Sequence, residues 1–303
     1  MYFKRNKFHF IFGITASATA YCVTILPHTV FLNKLEETVS FYRRGVRVPM
    51  NNKLKEMCQE VMNDLKLPQD LRSLIKPFHV FGFETFHAGT LNHQSGGIVG
   101  IPINFTYADT TAIPTSELII NHKPLNQLRK EADDLLNALI LSENAKKYAI
   151  AHEILRIQSN EIHTSACGLS CIIIIVTLFY NRIVHQFNLY EKQPLYRRVL
   201  LLSGIIFVLV SWVALKDTIS RRLDSNIDES ISKLGLNYIE GGKDFYDKVI
   251  KRNIALRSLM GEKGKEIFSA NGNVEYLLRQ KSMPFSYRKN FFESKLRNVN
   301  YMV

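Results

Sequence analysis

The apolar positions of this chain are strongly clustered. Three runs carry no Asp, Glu, Lys or Arg: Phe8 to Leu26 (FHFIFGITASATAYCVTIL), Thr164 to Asn181 (TSACGLSCIIIIVTLFYN) and Val199 to Leu215 (VLLLSGIIFVLVSWVAL). At 19, 18 and 17 residues they sit at the short end of what a helix needs to cross ~30 Å of hydrocarbon. Charges bound each run, and a soluble domain rarely needs three such stretches, so the pattern predicts three transmembrane helices. The first run also has the form of a cleaved signal segment. The second and third are joined by 182–198 and should form a helical hairpin. Small residues crowd the first two, including Gly13, Ala16, Ser17, Gly168 and Ser170, which allows close helix approach in lipid.

Between the spans the periodicity changes. Leu54, Met57, Cys58, Val61, Met62 and Leu65 follow a helical repeat, predicting a helix over 51–67 that Pro68 closes. FHVFGFETF (78–86) and GIVGIPINF (97–105) are rich in β-branched and aromatic residues and read as strands of a hairpin or small sheet. Pro102 marks the second as an edge or bulged strand. Helices are expected over about 125–141 and, with Ser142 as N-cap, over 143–159. In the tail, 223–236 reads as a helix with breaks near Gly235 and Gly241-Gly242. Residues 244–260 form an amphipathic helix closed by Gly261 and Gly264, and the end from about Lys289 reads as weakly ordered and basic.

Composition adds three exclusions. The 303 residues are 46% hydrophobic and 22% charged, which argues against disorder. Four cysteines argue against a secreted disulfide scaffold. Cys22, Cys167 and Cys171 fall in the spans as small packing residues, and Cys58 falls on a helix stripe. The net charge is +12, yet no run of five basic residues or RNA-module signature is present, so lipid headgroups are expected partners and nucleic acid is not. Lys4, Arg5, Lys7, Arg182, Lys192, Arg197 and Arg198 share one side of the bilayer, which the positive-inside rule makes the cytoplasm or mitochondrial matrix.

One helix carries candidate chemistry. AHEILR places His152 and Glu153 as in the zinc-peptidase signature H-E-x-x-H, in which two histidines at i and i+4 hold the metal and the Glu activates its water. Arg156 occupies the second histidine position, and a guanidinium has no lone pair for zinc. The order of strands, HEILR helix, membrane hairpin and Asp224-x-x-x-Asp228 resembles that of HtpX-type membrane metallopeptidases, with one ligand lost and a Glu shortened to Asp224. The five positions His152, Glu153, Arg156, Asp224 and Asp228 therefore read as vestigial, with no catalytic residue, metal or cofactor expected. The rival is a zinc metallopeptidase with an atypical ligand set drawn from His152, His163 and Asp224.

GIVGIPINF, LSENAKKYAIAHEILRIQSN and GGKDFYDKVIKRNIALRSLMGEKGKEIFSANGNV, with the spacing of the two later spans, resemble the transmembrane protein 177 family over about 54–274. That resemblance implies a mitochondrial inner-membrane protein that assists cytochrome c oxidase (complex IV) biogenesis, associating with newly made subunit II and its assembly chaperone. It supplies no catalytic residues. The expected architecture is an α+β membrane protein, mainly helical: an anchor (1–27), a soluble helix/strand domain (28–163), a transmembrane hairpin (164–215) and a C-terminal helical segment packed on that domain (216–303). The domain would face the intermembrane space. A structural scaffold outside mitochondria is the other alternative.

Overall fold

A computed structural model describes residues 2–91, 95–115, 118–120, 123–126, 128–276 and 279–300. The chain begins with α1 (Tyr2–Ile25), followed by α2 (Leu32–Val39) and the short pair β1 (Tyr42–Arg43) and β2 (Val46–Arg47). Helices α3 (Asn52–Asp64) and α4 (Gln69–Ser73) precede β3 (Ile75–Val80), β4 (Phe86–Thr90) and β5 (Gly96–Pro102). A second short pair, β6 (Ile119–Ile120) and β7 (Lys123–Pro124), leads to α5 (Lys130–Leu139) and α6 (Glu143–Gln158). Two long helices follow, α7 (Glu161–Gln186) and α8 (Pro194–Ser232), then α9 (Leu236–Met260), α10 (Glu262–Ile267) and α11 (Phe285–Asn300).

Three helices, α1, α7 and α8, are long and apolar enough to cross a membrane. Their outward faces carry side chains such as Phe12, Phe179 and Phe207 at 60–65% exposure, the surface that lipid would cover. Between α1 and α7 the contact is close and hydroxyl-lined. The Ser17 hydroxyl donates to the Ser170 carbonyl at 3.2 Å, and the Ser170 hydroxyl donates to the Ser17 carbonyl at 3.1 Å. At Gly13 any Cβ would meet the Thr177 side chain at 2.6 Å. The hairpin of α7 and α8 forms as its sequence predicts. Cys22, Cys167 and Cys171 lie exposed on the bundle, and Cys58 is buried under α3, where burial pushes its thiol up to about 12.

The rest of the chain packs on one side of that bundle. Asn51 caps α3, its side chain accepting from the Lys53 amide. Leu54, Met57, Cys58, Val61 and Met62 turn inward as their spacing predicts. The core joins this face to β5, α6, the end of α8, α9 and α11, with Tyr148, Tyr246 and Phe292 fully buried at its centre. Removing an apolar face of this kind from water supplies most of the stability, at roughly 25 cal/mol per Å2.

Several expectations need correction. The run 78–86 is not one strand: it splits into the end of β3 and the start of β4, with β4 and β5 forming an antiparallel hairpin and β3 pairing parallel on the other side of β5. Pro102 is tolerated in this central strand because it pairs only with Val80, while the β4 register stops at Gly100. The expected helix over 223–236 is the last part of α8, which has no breaker between the membrane and Ser232. Gly241 and Gly242 lie inside α9 and do not break it. They admit neighbours closely: a Cβ at Gly241 would run into the Asn144 carbonyl, and one at Gly242 would meet the Phe292 ring at 2.7 Å. Gly261, at φ 65°, does end α9, while Gly264 lies within α10. The end of the chain is also not a loose basic tail, since α11 buries Arg288 and Phe292. Residues 301–303 lie outside the described residues.

A candidate site where an arginine meets the HEILR helix

Helix α6 is buried on nearly every side. Ser142 caps it, accepting from the Ala145 amide at 3.2 Å, and Ala145, Ala149 and Ala151 keep it slim among its neighbours. The last turns of α8 lie against it. Asp224, Ile227, Asp228 and Ile231 are buried there at helical spacing, so the same face that supplies apolar contact also carries two carboxylates.

These elements bring all five sequence-predicted positions together, and α11 adds a sixth. Arg288 is 5% exposed and reaches into the gap between α6 and α8. Its guanidinium clasps Asp228 with two bonds, Nε to Oδ2 and Nη2 to Oδ1, each 2.7 Å. The same Nη2 lies 2.7 Å from His152 Nε2, and Nη1 lies 3.7 Å from Asp224 Oδ1. The Tyr148 hydroxyl donates to Asp228 at 2.6 Å and sits 2.7 Å from the Tyr246 hydroxyl. Arg288 also stacks 4.7 Å from the centre of the Tyr246 ring. Burial, together with the Asp228 charge, raises the Tyr148 phenol well above its ordinary range, which keeps it a donor.

This geometry sets the protonation of His152. A guanidinium can only donate, so in this contact Nε2 accepts and the ring proton sits on Nδ1, 3.2 Å from Glu153 Oε1. Burial and the Arg288 charge oppose a second proton, while Asp224, 3.7 Å from Nε2, and Glu153 raise the ring's affinity for one. Glu153 is engaged on both oxygens. Thr85 donates to Oε1 at 2.7 Å, and His87 Nδ1 lies 2.6 Å from Oε2. Burial opposes its charge, but His87 and the imidazole hydrogen bonds outweigh burial and hold the carboxyl well below the usual range. Arg156 donates to the Ser220 hydroxyl at 2.7 Å and approaches Glu161 and Asp224 at 3.5 Å. Asp224 Oδ1 thus has two guanidiniums within 4 Å and no hydrogen bond of its own.

The residues do not fit zinc. A metal bound to His152 Nε2 needs that lone pair at ~2.0–2.1 Å, and Arg288 already holds it. Arg156 stands at the second ligand position and contributes further positive charge beside Asp224. Among the described residues no three His, Cys, Asp or Glu side chains converge as a metal site. His163 stands apart from the cluster, with its Nδ1 3.4 Å from the Tyr21 hydroxyl of α1. The cluster's own chemistry is that of a buried ion-pair and hydrogen-bond network fastening α6, α8 and α11 together.

Sequence reasoning missed Arg288, His87 and Thr85. Arg288 lies in a basic stretch, SYRK, and nothing local marks it as buried. His87 and Thr85 flank the end of an expected strand, but their link to Glu153 spans more than 60 residues.

The fold and the cluster together define a membrane-anchored α+β protein with three candidate spanning helices and a buried helix, α6, tied to its neighbours through arginine. The chain is 29% identical to zebrafish (Danio rerio) transmembrane protein 177 over 263 residues, covering 86% of this chain and 84% of the relative. The mouse (Mus musculus) protein of that name is 27% identical over 259 residues, covering 85% and 82%. The human (Homo sapiens) one is 26% identical over 253 residues, covering 82% and 80%. The chain is thus similar to the transmembrane protein 177 family along more than four-fifths of its length. No protein-family model and no solved structure matches it.

Proposed function

We propose that this protein is a non-enzymatic accessory factor of the mitochondrial inner membrane that acts in cytochrome c oxidase biogenesis. It binds newly made subunit II together with its assembly chaperone and keeps the subunit stable. The observation that carries the non-enzymatic part is the Arg288 guanidinium, bonded to His152 Nε2 where a peptidase would bind its metal. The complex IV part rests on the family resemblance, which spans more than four-fifths of the chain. The charge pattern is consistent with it: the basic side becomes the matrix, and the α+β domain then faces the intermembrane space. Binding rather than chemistry is the mechanism, with the membrane hairpin packing against client helices and the domain covering the client's exposed part.

The test is affinity purification of the full chain from mitochondria in mild detergent. Subunit II and its chaperone are expected to co-purify, and newly made subunit II should decay faster when the protein is depleted. Subunit II absent from the eluate and unchanged in lifetime would refute the reading. So would stoichiometric zinc with proteolysis that depends on Glu153.

A further inference from the structure

A groove of about 450 Å3 opens between the three membrane helices, lined by Gly13, Ala16, Val176, Tyr180, Ile205 and Val208 among others. It lies in the half of the bundle next to the 182–198 loop. Tyr180 is two residues before Arg182, and the α8 part of the lining begins at Leu201, one turn beyond Arg197. The loop end carries Arg182, Lys192, Arg197 and Arg198 against the single acid Glu191. Among the described residues none of these four cations is ion-paired. Arg197 lies 5.2 Å from the centre of the Tyr190 ring, and its buried Nε has no hydrogen-bond partner. It also acts electrostatically on Tyr180, inside the groove.

We infer that this groove and its arginine rim bind an anionic phospholipid of the surrounding bilayer, with an acyl chain between α1, α7 and α8 and the phosphate on the arginines. The placement of charge favours lipid over a protein helix. The cations of 182–198 follow the loop end of the apolar slot, with Arg197 acting on Tyr180 of its lining, and a lipid joins an anion to an apolar chain at that same boundary. Arginine suits the phosphate because its planar fork donates in pairs.

Native mass spectrometry of the full chain in mild detergent tests this, with phosphatidylglycerol and phosphatidylcholine of identical acyl chains as probes. The wild-type chain is expected to retain phosphatidylglycerol several-fold better. Each arginine near the surface contributes about fivefold, so R182Q/R197Q/R198Q should abolish the preference, and R182K/R197K/R198K should keep most of it. Val208→Phe, which narrows the groove, should lower retention of both lipids and leave the preference intact. Equal retention by the wild type, a preference unchanged in the glutamine variant, or full retention by Val208→Phe overturns the assignment. A protein helix co-purifying in the slot in place of lipid overturns it as well.

Discussion

The two halves of this molecule hold their helices together by opposite means. In the membrane bundle, α1 and α7 touch through Gly13, Ser17, Ser170 and Thr177, with no charge between them. In the domain, α6, α8 and α11 meet through Arg288, Arg156, Asp224, Asp228, His152 and Glu153. The contrast follows from the solvent. Lipid gives no hydrophobic drive between helices, so close fit and short hydroxyl bonds have to suffice. In the domain an apolar core of Tyr148, Phe292, Ile154 and Ile231 supplies the drive, and buried ions can then fix how the helices register. One helix shows both regimes, since α8 is uncharged over 199–215 and its last turns carry two buried aspartates.

The largest expected effect comes from removing the shared cation. Arg288→Ala leaves Asp228 buried without its cation and Asp224 with Arg156 alone, a loss of about 3–5 kcal/mol for a broken buried pair. Unfolding by denaturant in detergent measures it, and a loss under about 1 kcal/mol would show that the network adds nothing beyond packing. Gly241→Val comes next, because its side chain strikes the α6 backbone at Asn144. Overpacking of this kind costs about 1–3 kcal/mol, read from the same unfolding curves.

A pH series sharpens the contrast further. Glu153 has its carboxyl held below the ordinary range in the folded state, so its contribution is fully present above ~4.3, the unfolded value. It is lost as pH falls below that toward the folded value. His87→Ala removes a main cause of the depression and should move this acid loss to higher pH. Circular dichroism across pH 3–6 at roughly half-unit steps reads the shift, and identical profiles would mean that His87 does not hold Glu153. The smallest effect belongs to the membrane pair. Ser17→Ala with Ser170→Ala should weaken the α1–α7 contact by about 0.6 kcal/mol per bond, seen as a slightly lower unfolding midpoint in detergent. A loss as large as that of Arg288→Ala would erase the distinction between the two regions.

What the sequence made legible follows from the range of each interaction. The three spans stand out because a long uncharged run has few other uses, and Asn51 and Ser142 mark helix starts through bonds made within three residues. The HEILR motif and the Asp224–Asp228 pair were visible as local spacings. What escaped depends on partners distant in the chain. Phe292 packs on Gly242, 50 residues earlier. Arg288 reads as one more surface base until α8 places an aspartate beside it. The parallel pairing of β3 with β5 escaped for the same reason, since β4 lies between them in the chain.

The length of α8 has a mechanical consequence. The helix is unbroken from Pro194 to Ser232, 39 residues or ~58 Å. It runs as one rod from the apolar stretch into the domain, with Asp228 about 30 Å from the midpoint of its apolar part. A rocking of only ~10° would carry that aspartate about 5 Å, farther than any bond to Arg288 or Tyr148 can stretch. The arginine clasp therefore holds only while α8 and α11 keep their relative angle, so it ties the tilt of the membrane rod to the packing of the domain.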